Sequence, residues 1–370
     1  MNLCGIIVEY NPFHNGHLYH IEQAKKLSQC DGLIAVMSGN YAQRGELSVI
    51  DKFKKAEIAI EHGVDLVVEL PFIDTIQSAS HFAKGAIDVL KLCKVNSIVF
   101  GSETENIDFL KEVASTEIEP DHLKELMKQG HSYPKALSLL QGSFFPNDIL
   151  AIAYLKELRD TNIKPIAIAR TNEYHSEQLS SIASATAIRK AILNHEDYKI
   201  ATPIEIDNPV YLSALYPYLR KILLLSKRKT LQSYHLVDEG IEKVLKDNAI
   251  KYADFEDFIN ASVSRRYTRA RIQRILIAIM LNITKQEVKE LDQTPYIRVL
   301  AFNDKGRAII KELQKSEQEV ITQFKKLPLN NRELEYRATL LYASLFEEKR
   351  MQALIKRELQ GPYIRNSETI

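Results

Sequence analysis

The chain is short of cysteine, of long apolar runs and of repetitive sequence, and each shortage excludes a class of protein. Only three cysteines occur in 370 residues, Cys4, Cys30 and Cys93. They are far apart and form no C-x-x-C pair, which argues against a disulfide scaffold and a cysteine-rich zinc site. Three buried thiols are expected instead. No apolar run approaches the roughly 18–20 residues needed to cross a bilayer. The first one, "LCGIIV", meets Glu9 at once, and no basic segment precedes it as in a signal peptide. A cytoplasmic protein without membrane contact is expected. There is no low-complexity tract and no internal repeat. With 45% hydrophobic and 26% charged residues, the composition is that of an ordinary soluble protein with room for roughly two to three domains.

What is present is unevenly distributed. The net charge of +1 conceals a split. Residues 1–200 carry 20 Lys+Arg and 26 Asp+Glu, a net of −6, whereas residues 201–370 carry 29 and 22, a net of +7. A basic half joined to an acidic half points to a polyanionic partner for the second half.

Hydrophobic patterning divides the chain at the same place. "LCGIIVE" (3–9), "GLIAVMS" (32–38), "VDLVVEL" (64–70), "NSIVFGSE" (96–103) and "IKPIAIAR" (163–170) read as buried strands. Between them, "HLYHIEQAKKLS" (17–28), "DKFKKAEIAIEHG" (51–63, with Gly63 suited to a C-terminal cap), "SHFAKGAIDVLKLC" (80–93) and the stretch 120–160 have helical spacing. "SATAIRKAIL" (184–193) follows as a further helix. Continuous β-branched runs alternating with helices predict an α/β fold with a doubly wound parallel sheet. After "TPIEIDNPV" (202–210), read as a linker, the pattern is almost wholly helical. The expected organisation is an α/β nucleotide-type domain over 1–200 and a mainly helical, basic domain over 201–370.

The most informative segment is "VEYNPFHNGHLYH" (8–20). It lies between the first strand and the first helix, at the edge where such sheets bind ligands. His17 is expected to open the helix, whose free N–H groups attract anions. Gly16 permits a tight turn and close backbone approach. Imidazoles at His14 and His17 can donate hydrogen bonds to an α-phosphate as charge builds on it. His14, His17 and His20 also have H-x2-H-x2-H spacing, but no cysteine or carboxylate completes a set, so no metal site is expected. His20 alone reads more readily as a packing residue.

The pair resembles the His-x-Gly-His signature of the nucleotidyltransferase (HIGH) superfamily, whose members attack the α-phosphate of a nucleoside triphosphate. The superfamily's second signature, roughly I-S-S-T-x-I-R, is matched imperfectly by "ASATAIR" (183–189). There Ser184 would cap the helix. Thr186 and Arg189 share one helix face, and Arg189 would meet the β- and γ-phosphates. The resemblance extends further. "MSGNYAQRGE", "DLVVELPF", "FGSE", "PNDILAIAYLKEL", "IASATAIRK", "RRYTRARIQRILIAIML" and "YIRVLAFNDKGR" occur in order. With the first motif they resemble the tRNA(Met) cytidine acetate ligase family of bacteria.

That resemblance implies an ATP-dependent ligase of Rossmann type. It would form acetyl-adenylate from acetate and ATP, with Mg²⁺ on the phosphates, and acetylate N4 of the wobble cytidine of elongator tRNA(Met). It implies that the segment Ile7–His20 wraps the ATP, through Asn11, Pro12, Phe13, His14, Asn15, Gly16, His17 and His20. Gly101, Asn147 and Arg170 are the further matching positions. After Arg170 the chain departs from the family pattern, with Thr171-Asn172-Glu173 where a glycine is expected. Asn147 and Arg170 also admit plainer readings, a helix cap and a structural ion pair.

The basic half fits an RNA partner. Arg265, Arg266, Arg269, Arg271 and Arg274 crowd into what reads as three turns of one helix, with no carboxylate close by in sequence to pair them. Lys227-Arg228-Lys229 is a second cluster, Tyr267 a candidate for base stacking, and Arg44 in the polar loop "SGNYAQRGE" a further phosphate or RNA candidate. Two other functions stay open on sequence alone: a small-molecule adenylyltransferase of cofactor metabolism, and a non-enzymatic RNA-binding protein with a retired nucleotide site. Oligomeric state is not legible.

Overall fold

A computed structural model describes residues 1–104, 106–116, 120–131, 136, 139–140, 144–169 and 183–366. The first half alternates as its patterning predicts: β1 (Leu3–Val8), α1 (Asn15–Ser28), β2 (Gly32–Ser38), α2 (Lys52–Glu61), β3 (Leu66–Leu70), α3 (Phe72–Thr75), α4 (Ala79–Leu92), β4 (Ser97–Ser102), α5 (Ile107–Ser115), α6 (Pro120–Lys128), α7 (Pro146–Leu158), β5 (Lys164–Ala169) and α8 (Ala185–Leu193). The second half opens with a 3₁₀ turn (Leu212–Leu215), followed by α9 (Tyr216–Leu225), α10 (Arg228–Ser233), α11 (Ile241–Lys251), α12 (Phe255–Ser262), α13 (Arg269–Met280) and α14 (Lys285–Glu290). It then gives β6 (Ile297–Asn303), α15 (Asp304–Lys315), β7 (Val320–Ile321), α16 (Leu329–Ala343), α17 (Glu348–Leu359) and β8 (Tyr363–Arg365). Among the described residues no helix is long and apolar enough to cross a membrane.

β1 to β5 are mutually parallel, in the order β5-β4-β1-β2-β3. From β1 the chain moves outward through β2 and β3, then restarts with β4 on the other side of β1. The winding therefore reverses between β1 and β4, the switch point beyond whose carboxyl ends sheets of this kind form their ligand crevice. Both faces of the sheet are covered. Along β2, Leu33, Ala35 and Met37 face a core shared with α1 and α2, while Ile34 and Val36 face a core shared with α4 and α7. This two-sided burial explains why the strands read as unbroken apolar runs.

The second half is mainly helical, and it also completes the sheet. β6 lies antiparallel beside β3, pairing Leu66 with Phe302 and Glu69 with Arg298; β7 and β8 pair with β6. Gly306, in the first turn of α15, makes this join possible. A Cβ there would sit 2.0 Å from the Asp65 carbonyl oxygen, so no larger residue fits. The helices of the second half pack through Leu219, Leu245, Phe258, Ile272 and Leu276 onto the same apolar core as α1 and α2.

A buried ionic cluster lies under the join. Lys52 of α2 meets Glu69 of β3 and Glu358 of α17 at 2.8 Å each. Arg298 of β6 meets the same two carboxylates at 2.6 Å each. Glu335 of α16 faces the cluster and accepts a hydrogen bond from the Phe72 N–H at 2.7 Å. Burial, with Glu69 nearby, pushes the Glu335 carboxyl up to about 8. For Glu358 burial acts in the same direction, but Arg298 and Lys52 outweigh it and hold that carboxylate at about 2. With Glu335 protonated, two cations balance two carboxylates.

Candidate active site

β1 delivers the chain to the crevice, and α1 begins there with a cap made of histidines. His14, not His17, is the residue that starts the helix. Its extended backbone (φ −151°, ψ 172°) precedes Asn15, and its ring Nδ1 accepts a hydrogen bond from the Gly16 N–H at 3.1 Å. His17 reaches back, and its Nδ1 accepts from the His14 N–H at 3.2 Å. This is the reciprocal geometry of a capping box with imidazoles in place of hydroxyl and carboxylate. The rings stack with centroids 3.8 Å apart, and Tyr10 packs edge-on against His17 at 4.7 Å. Because each Nδ1 accepts a backbone N–H, each ring carries its proton on Nε2. The cap thus fixes both rings as Nε2–H tautomers at a helix N-terminus, where anions bind.

The other residues of the segment divide into those at the crevice and those that hold it. Ile7 and Gly101, half-exposed near the ends of β1 and β4, flank the crevice. Pro12 and Phe13 are buried, and Phe13 packs against Tyr10 at 4.8 Å and His62 at 5.0 Å, so its ring belongs to the core. The Asn15 side chain donates to the Ile200 carbonyl at 3.0 Å, tying the turn to the segment just before the linker. His20 Nε2 donates to the Val99 carbonyl at 2.9 Å, which makes it a brace between α1 and β4. Asn11 is buried, and its amide is used on the polar loop: it donates to the Leu47 carbonyl at 3.2 Å and accepts from the Val49 N–H at 2.9 Å.

On the other side of the crevice, Ser184 caps α8 by accepting from the Ala187 N–H at 3.1 Å, as expected. Arg189 projects from α8 to three partners. It donates to the Asn11 carbonyl at 2.7 Å and to Thr186 Oγ1 at 3.3 Å, and it pairs with Glu46 of the polar loop at 2.8 Å. The two signatures, far apart in sequence, therefore touch. Asn147 lies in the first turn of α7, which Phe145 rather than Asn147 caps, and its amide donates to Glu103 just beyond β4. Arg170 falls outside the described residues.

Sequence patterning missed three residues that build this edge. Asp148 is buried and collects Ser102 Oγ at 2.6 Å and the Glu103 N–H at 3.0 Å, fixing the end of β4 against α7. Lys55, also buried, donates to the carbonyls of Glu9, Ser38 and Gly39 at 2.7–3.0 Å, joining the ends of β1 and β2; burial pushes its ammonium down to about 7. Glu9 accepts from the Gln43 N–H at 2.6 Å, and burial pushes its carboxyl up. An Asp, a Lys and a Glu in a strand–helix pattern read as surface, so only the fold reveals them.

A family model described as HIGH Nucleotidyl Transferase matches residues 1–357. The tRNA(Met) cytidine acetate ligase of Oceanobacillus iheyensis is 37% identical, over 98% of this chain and all of its own length. That of Limosilactobacillus reuteri is 40% identical, over 85% of this chain and 88% of its own. The chain belongs to the tRNA(Met) cytidine acetate ligase family of HIGH nucleotidyl transferases.

Crystal structures of this family extend the likeness to the fold. Apo Thermotoga maritima TmcAL superposes with a TM-score of 0.90 at 31% identity, over 99% of this chain and all of its own. The form bound with alpha-thio ATP gives a TM-score of 0.89.

The arginine cluster of this tRNA(Met) cytidine acetate ligase relative differs from its sequence expectation. It does not lie on one helix: α13 begins at Arg269, capped by Thr268, and Arg265 and Arg266 occupy the preceding turn. Carboxylates distant in sequence do pair with it. Glu256 takes Arg269 in two hydrogen bonds of 2.8 and 2.6 Å, and Glu239 lies 3.7 Å from Arg266 and 3.8 Å from Arg271. Arg228 of the second cluster meets Glu242 at 3.2 Å. Tyr267 is only 5% exposed, its hydroxyl is bonded to the Asp238 carbonyl, and Arg271 covers its ring at 4.2 Å. It offers no open face for a base. Arg274 is buried and donates to the Gln43 carbonyl at 3.1 Å, so it fastens the polar loop to α13 instead of meeting phosphate. Gly45 seals that contact, since its φ is +75° and a Cβ would lie 2.5 Å from the Arg274 backbone nitrogen. Arg44 is exposed at the tip of the same loop.

Proposed function

We propose that this chain is an ATP-dependent ligase that forms acetyl-adenylate and acetylates N4 of the wobble cytidine of elongator tRNA(Met). The observation that carries this reading is the histidine cap at the β1–β4 crevice with Arg189 facing it. In the first step an acetate oxygen attacks the α-phosphorus of ATP, and pyrophosphate leaves with the bonding pair. In the second the cytosine N4 attacks the acetyl carbon, AMP leaves, and N4 gives up a proton. His14 and His17 donate from Nε2 to the α-phosphate oxygens as they gain charge, and Arg189 takes the β- and γ-phosphates. No side chain forms a covalent bond, so positioning and charge stabilisation supply the rate.

Mg²⁺ would accompany the phosphates in this reading. Among the described residues no group of three His, Cys, Asp or Glu could hold it, so it would be held chiefly by phosphate oxygens and water, as this cation usually is with nucleotides. For the tRNA, the exposed Arg44 and Arg265 with the half-buried Arg266, Arg269 and Arg271 form the proposed phosphate surface, and Arg274 is removed from the set. A basic helical half is better explained by an RNA substrate than by a small cofactor precursor.

The test is incubation with ATP, labelled acetate and bulk tRNA. The expected result is label in N4-acetylcytidine after nuclease digestion. Label in adenylate but never in RNA would contradict the tRNA step, and no label in either would leave an adenylyltransferase of cofactor metabolism or a binding protein.

A further inference from the structure

Arg189 is assigned to incoming phosphate, yet its guanidinium already holds an anion. The Glu46 carboxylate sits 2.8 Å from it, with side chains 16% and 31% exposed. The backbone that presents Glu46 is fixed. Tyr41 and Leu47 form an antiparallel bridge, the Ala42 N–H donates to the Glu46 carbonyl at 2.9 Å, and Asn11 grips residues 47 and 49 from the nucleotide segment itself. Only the carboxylate is free to swing. Arg189 keeps two other anchors, the Asn11 carbonyl and Thr186, so it remains at the crevice when Glu46 lets go.

We propose that Glu46 is a positioning residue that acts as an internal stand-in for the nucleotide's phosphates, holding Arg189 in place until the β- or γ-phosphate of ATP displaces it. The inference rests on reading the crevice as an ATP site. It follows from charge: a guanidinium pairs more strongly with a multiply charged phosphate, which it can grip in two parallel bonds, than with one partly exposed carboxylate. The exchange also gives selectivity. A ligand without β- and γ-phosphates cannot displace Glu46 and gains nothing from Arg189.

The experiment measures ATP and adenosine affinity by calorimetry for wild type, Glu46→Gln, Glu46→Ala, Arg189→Ala and the Glu46→Gln/Arg189→Ala pair, each checked for an unchanged melting temperature. ATP binding is expected to tighten about two- to fivefold in both Glu46 variants, the range an ion pair of this exposure is worth. Adenosine binding is expected to stay as it is, and the gain should vanish when Arg189 is absent. Unchanged or weaker ATP binding in both Glu46 variants overturns the proposal. So does a gain that survives in the Arg189→Ala background, because that is a general field effect of one lost negative charge. Wild-type protein that fails to bind ATP at all would sink the functional reading itself, whereas normal wild-type binding with no Glu46 effect sinks only this inference.

Discussion

Replacing His17 with alanine removes two separate things, and the structure allows each to be sized. The first is structural. His17 Nδ1 accepts the His14 N–H at 3.2 Å, so alanine leaves one helix-cap donor to water, at a cost of about 0.5–2 kcal/mol of stability. The remaining half of the cap, His14 on the Gly16 N–H, stays in place. The second is chemical and follows from the proposed reaction. There the Nε2–H would face charge developing on the α-phosphate, and loss of one such donor costs about 10²–10³ in rate. Because that charge is larger in the transition state than in bound ATP, the loss falls on kcat far more than on affinity. The assay is single-turnover formation of acetyl-adenylate beside equilibrium ATP binding, with a melting curve on the same sample. The expected outcome is a small drop in melting temperature, nearly unchanged ATP affinity and a rate lower by about two to three orders of magnitude. If affinity and rate fall together, His17 is a ground-state ligand. If the melting temperature collapses, its role is in the fold, and the assignment to the reaction fails.

The remaining predictions concern the buried cluster and the basic surface. Glu335 has its carboxyl raised to about 8, so the folded chain holds a proton that the unfolded chain releases near the ordinary carboxyl value of about 4.3. The stability from this proton is complete below that value and is lost as pH rises through about 8. Glu335→Gln keeps an oxygen for the Phe72 N–H, so between about pH 6 and pH 9 denaturant unfolding should show a falling stability in wild type and a flatter one in the variant; equal slopes would contradict this. Arg269→Glu with Arg271→Glu should leave acetyl-adenylate formation intact and weaken tRNA binding. Each lost phosphate contact should reduce the slope of log affinity against log[salt] by up to about one unit, as filter binding at several salt concentrations would read. Arg274→Ala, by contrast, should lower the melting temperature and leave the salt slope unchanged, because this side chain is buried against the Gln43 carbonyl.

The fold of the first half was legible because its physics is local. Apolar runs bounded by turn residues mark β2 at residues 32–38 without error, and Ser184 caps α8 where its position predicts. The two nucleotide signatures were legible for the same reason, as each is a strand–turn–helix or a helix start. What stayed hidden depends on contacts between distant residues. β6 joins the sheet because Arg298 and Val299 pair with β3, and nothing near "YIRVLAFN" announces that neighbour. The arginine cluster looked unpaired because Glu239 and Glu256 lie outside its window, and the fold alone brings them to it. Arg274 reads like its neighbours until the Gly45 turn is seen packed on its backbone. Asn11 illustrates a second role that its motif position does not announce: its amide also holds the polar loop, through Leu47 and Val49.

The central claim is that the crevice between β1 and β4, with its histidine cap and Arg189, activates acetate by itself. The most direct measurement is exchange of labelled pyrophosphate into ATP, in the absence of tRNA, with and without acetate. The account predicts exchange that depends on acetate and that falls steeply in His17→Ala. Exchange no greater than the acetate-free blank, in a wild-type protein shown to bind ATP, would contradict it.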